Sequence, residues 1–217
     1  MTLFLLAGVP LLALFVVLLP WPSDRVPRRP WLAMVFVRGV FFAAPAWLAL
    51  ALLRSAIGEP LTGFPRWLAL LGTDHLAPVA LAVVAFILGQ RRLSLAPAEE
   101  GTFLVALCFL AGFFGVLDVA DFLREWQAWD AHTLFLLPLM RLATVLLVSV
   151  AAPRFYRWQG TLGLLFIGLC SAATLPLSLF SFAFTVNYAA VAWAFVAALV
   201  AAASVAFVLR FPAALHG

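Results

Sequence analysis

The chain has 217 residues, of which 66% are hydrophobic and 10% charged, with a mean hydropathy of +1.15 and a net charge of +4. A soluble domain carries roughly 25% charged residues, so this composition excludes a water-solvated surface and makes the bilayer the solvent that fits. All thirteen basic residues are Arg, and the absence of Lys excludes a retinal Schiff base, a pyridoxal phosphate aldimine and a P-loop phosphate grip, each of which needs an amine.

A spanning helix needs about 20 mostly apolar residues, and lipid forces every backbone amide to be paired within the protein. Seven segments meet that requirement. The reading is therefore an all-α, polytopic transmembrane helix bundle in a single domain covering residues 1–217. In chain order the predicted spans are 2–20, 31–53, 67–89, 101–123, 132–152, 161–184 and 188–209.

The first span carries no basic residue ahead of it, and Arg25, Arg28 and Arg29 follow it. That order fits a retained helix and not a cleaved leader. Short joints rich in Pro, Arg and acidic residues separate the spans, and Trp21, Trp31, Trp126, Trp129 and Trp158 fall near their edges. Amphipathic rings favour the headgroup level. The joints after spans one, three and five, with Arg210 in the tail, hold eight arginines; the opposite joints hold three, Arg54, Arg66 and Arg124. The positive-inside rule then places the N-terminus outside and the C-terminus in the cytoplasm, as in a multi-pass protein of a prokaryotic inner membrane.

Charged groups at bilayer depth cost about 2.5–3.5 kcal/mol each on insertion scales, so each one asks for a reason. In span two the charge is Arg38, eight residues in, read as a contact to lipid phosphate or to a partner helix. In the outer part of span three lie Asp74 and His75. Span four carries Asp118 and Asp121, which are three residues apart and so share a helix face. Arg141, near the middle of span five, is their natural counter-ion. The functional reading is a polar cavity open to the outer side. The bland alternative is an ion pair that fixes packing. In span six Ser171, Thr174, Ser178 and Ser181 recur at helical spacing, which suits either a polar path or close helix contact. Span seven carries a seam of Ala190, Ala194, Ala197, Ala201 and Ser204, expected to pack against span six.

No motif names a reaction. There is no GxSxG, no HExxH and no HxxxH, and the Glu99-Glu100 pair lacks the Arg and His an intramembrane protease would need. Cys108 and Cys170 sit apart in apolar runs and read as buried thiols. No metal, cofactor or nucleic acid is expected. The leading expectation is a transport or permeation protein. The alternatives are a membrane-embedded subunit of a larger complex, a self-associating protein of the same kind, a lipid-acting enzyme and a seven-helix sensor.

Overall fold

The computed structural model describes residues 7–21, 27–57, 65, 68–69, 71–90, 99–124, 137–156 and 189–212. Among these residues the chain is helical throughout, with no strand. The elements are α1 (Gly8–Leu18), α2 (Arg29–Ile57), a π-helical turn (Leu71–Leu76) that runs into α3 (Ala77–Gln90), α4 (Glu99–Arg124), α5 (Leu137–Tyr156) and α6 (Ala189–Arg210). Among the described residues three helical stretches are long and apolar enough to cross a membrane: α2, Leu71–Gly89 and α4. The predicted span at 161–184 lies outside the described residues. The predicted edges at 2, 67, 132 and 188 also lie outside the described residues. Of the others, α2 continues past Leu53 to Ile57, with no Gly or Pro to break it before Gly58, and α5 continues past Ala152 to Tyr156.

The central element is α4. Every residue from Gly101 to Phe114 is buried, on all faces of the helix. A helix apolar all round must sit inside other helices or in lipid. Here α1, α2, α3 and α5 surround it. The closest approach is to α2, at Gly39 and Gly112. A Cβ on Gly39 would stand 2.1 Å from the Phe109 carbonyl oxygen, and one on Gly112 would stand 2.2 Å from the Phe36 carbonyl oxygen. The two backbones therefore touch, which only glycine permits.

Two ends of the bundle differ in chemistry. At one end Trp21, Phe103, Phe207 and Phe211 form a cluster, with Phe103 and Phe211 ring centres 4.6 Å apart. The Trp21 indole donates to the Val16 carbonyl oxygen at 2.7 Å, so its buried polar edge is satisfied. Arg210 pairs with Glu99 beside this cluster. At the other end lie Arg54, Asp74, Asp118, Asp121 and Arg141. Helices α2 and α4 run in parallel from the aromatic end to the charged end, while α1, α3, α5 and α6 run the other way.

The Ala and Ser seam of α6 is not a buried packing face. Ala190, Ala194, Ala197, Ala201 and Ser204 are all exposed. Instead α6 turns Val196, Ala203 and Phe207 inward, with Val196 against Met140 of α5 and Phe207 against Trp21 and Phe103. Larger side chains fill the gap beside α5 and the aromatic cluster, and they bury more area than the alanine stripe offers.

Candidate functional site

The π-turn sets the site. Pro78 has no N–H, and in an α-helix its ring would meet the carbonyl four residues earlier, that of Asp74. The wider turn at Leu71–Leu76 ends just before it and relieves that clash, as π-turns do at such points. Asp74 is thereby presented toward the end of α2, where Arg54 sits in the last turn. The Arg54 guanidinium reaches Asp74 Oδ1 through Nη2 at 2.8 Å and Nε at 3.1 Å. Its Nη1 donates to Asp121 Oδ1 at 3.1 Å. The Thr73 hydroxyl lies 3.0 Å from both Asp74 Oδ1 and the Ala69 carbonyl oxygen, and its one proton serves one of them.

Asp121 continues the chain of contacts. Its Oδ2 accepts from Arg141 Nη2 at 2.5 Å, while Arg141 Nη1 donates to Asp118 Oδ1 at 2.6 Å. The order is Asp74, Arg54, Asp121, Arg141, Asp118: five charged groups from α2, the π-turn, α4 and α5. Asp118, Asp121 and Arg141 are 3%, 4% and 5% exposed, which makes this a buried network at low local dielectric and not a surface pair. Arg54 and Asp74 are partly exposed at its rim. Among the described residues, two polar atoms inside it have no hydrogen-bond partner, Asp118 Oδ2 and Arg141 Nε. Arg124, exposed at the end of α4, adds positive potential near Asp121.

Asp118 and Asp121 share one face of α4 with Arg141 opposite, and Asp74 joins the same network through Arg54. Arg141 is on α5, one turn after Leu137 where the described part of the span begins. The backbone of His75 belongs to the π-turn. Ser171, Thr174, Ser178 and Ser181 lie outside the described residues. Arg38 is half-buried on α2 and forms no ion pair among the described residues. Arg54 was missed, because it had been placed in a joint. The signal was there: Ser55, Ala56 and Ile57 carry the helix on. Among the described residues no group of three His, Cys, Asp or Glu side chains is disposed to hold a metal ion.

No protein-family model, no curated protein and no solved structure matches this chain. The functional reading therefore rests on the residues themselves.

Proposed function

We propose that the chain is a multi-pass protein of the cell membrane, of the prokaryotic inner-membrane kind, that crosses the bilayer seven times and moves a small solute across it. The charged network is the gate of that path in its shut position, at the outer end. Two features favour the seven-span topology. The N-terminus of α1 lies at the charged end and α6 finishes at the aromatic end. In addition, α5 ends at the aromatic end while α6 begins beside Met140 at the charged end, the arrangement that an intervening sixth span would produce. Arginine counts put the charged end outside.

The observation that carries the transport reading is the half-satisfied network. A buried polar network that only locks packing is expected to have every member bonded, since each unmade bond at low dielectric is costly. Here, among the described residues, a carboxylate oxygen and a guanidinium N–H find no partner in the most buried part. Those free valences suit a solute group, or a second pairing of the same charges when the helices part. Ionisable groups inside a membrane most often mark such paths.

The test is flux through liposomes containing the purified protein, followed with protons, sodium, potassium and chloride in turn. The wild type speeds the decay of at least one gradient over that of empty liposomes. Asp118→Asn and Arg141→Gln, checked for helical content and a monodisperse elution profile, bring the rate back to that of empty liposomes. A wild-type rate equal to the empty control for all four ions, or full flux in both variants, overturns the reading.

A second reading, a membrane-embedded subunit or self-associating protein, is favoured by the uncovered α6 seam. Small residues let helices approach closely, and this stripe is exposed along the helix. Ala197→Leu with Ala201→Leu removes a partner seen by cross-linking in native membranes if the seam is an interface, and leaves the cross-linking pattern unchanged if it faces lipid.

A further inference from the structure

Between α1 and α2 runs an open groove of about 500 Å³. Its walls are apolar, with Leu14 and Leu18 on α1 and Phe36 and Val37 on α2, and Cys108 of α4 lies at its floor. Several of these wall residues are exposed: Leu14 at 55%, Leu18 at 54% and Val37 at 48%. Among the described residues, Arg29 is the one charged residue that lines it. We propose that this groove holds an acyl chain of an anionic glycerophospholipid whose net-negative headgroup rests on Arg28 and Arg29. The proposal rests on the chain being a membrane protein but not on its moving a solute.

Length supports this occupant. Arg29 to Val37 spans eight residues of α2, about 12 Å at 1.5 Å per residue. The hydrocarbon of one leaflet is roughly 15 Å deep, half of about 30 Å. The groove therefore runs down from the Arg29 end through most of one leaflet. Trp21 and Trp31, at the level of Arg29 along the chain, mark the headgroup zone.

Charge supports it too. Arg28 and Arg29 are exposed, and neither pairs with an acid among the described residues. No acidic residue occupies the first turn of α2, so its positive end also faces this spot. A basic site at the mouth of an interhelical apolar groove matches the recognition of anionic headgroups. A chain-shaped slot with a cationic mouth fits neither a free phosphate, which leaves the slot empty, nor an uncharged hydrocarbon, which leaves both arginines idle.

The test uses the full-length protein, purified in mild detergent, stripped of lipid and offered defined phospholipids, with retention read by native mass spectrometry. Phosphatidylglycerol is retained at one molecule per chain, and the zwitterionic phosphatidylcholine about thirtyfold more weakly, the ratio expected when two arginines meet a net-negative headgroup and not one whose phosphate is neutralised by its own choline. Arg28→Gln with Arg29→Gln brings phosphatidylglycerol down to the phosphatidylcholine level. Ala33→Trp, on the exposed groove wall, keeps both arginines and fills the slot; it too loses the retained lipid. Inorganic phosphate does not compete. Phosphatidylglycerol retained as in the wild type by Ala33→Trp would mean diffuse charge attraction without a chain site and would overturn the proposal. So would equal retention of the two lipids, or a second protein copy seated in the groove. Protein that never reaches the membrane fraction would overturn the membrane reading itself, a separate outcome from a membrane-inserted protein that keeps no lipid.

Discussion

Replacing Gly39 by Ala tests the central packing. The new Cβ would lie 2.1 Å from the Phe109 carbonyl oxygen and 3.1 Å from the Phe113 nitrogen, where ordinary contact begins at 3.4 Å. Both obstacles are backbone, so no side chain can turn aside, and α2 and α4 must part by roughly 1.3 Å at the crossing. Overpacking of this kind costs about 3 kcal/mol at the upper end of its range, and the better helix propensity of Ala returns about 1 kcal/mol. The expected net loss is about 2 kcal/mol, read by reversible unfolding in mixed micelles with far-ultraviolet circular dichroism. Gly112→Ala meets the mirror obstacle, Phe36 O at 2.2 Å, and should lose a similar amount. Because either Cβ alone opens the crossing, the double variant should fall short of the summed losses by about 1 kcal/mol or more. Gly72→Ala, whose Cβ meets nothing within 4 Å, should shift stability by less than about 1 kcal/mol. Equal losses at Gly39 and Gly72, or strict additivity at Gly39 and Gly112, would refute the close crossing.

Two other substitutions follow from the two ends of the bundle. Arg141→Met removes the shared partner of Asp118 and Asp121 and leaves buried carboxylates behind, so unfolding measurements should show a loss of about 3–5 kcal/mol, with Asp118→Asn losing less. Phe103→Ala empties the middle of the aromatic cluster, where the ring is fully buried, and should cost about 3–5 kcal/mol in the same assay, with a shift in Trp21 fluorescence.

The helices were legible because lipid demands long apolar runs, and that demand shows directly in composition. The pairing of Asp118 and Asp121 with Arg141 was legible because charges at depth are rare and helical spacing fixes their faces. Arg54 was not, because hydropathy fades before a helix does, and a boundary set by polarity cut α2 a turn too soon. The central place of α4 was also hidden. Surrounding protein and surrounding lipid are equally apolar, so a helix buried in helices reads like one bathed in acyl chains. The small residues at its crossing with α2, Gly39 with Ala43 and Cys108 with Gly112, were the available clue. The same clue appears in the alanine stripe of α6, whose expected partner at 161–184 lies outside the described residues.

The π-turn before α3 carries one residue more than an α-helical turn of equal rise would hold. If it tightened into α-helix, the segment before it would rotate about the helix axis relative to α3 by about 100°, one residue's share of a turn. Asp74 would swing away from Arg54 while α3 kept its seat against α2 and α4. Pro78 opposes that tightening from one side and the pull of Arg54 from the other, so the turn works as a pivot: whatever releases Asp74 from Arg54 removes one of the two constraints that keep it wide.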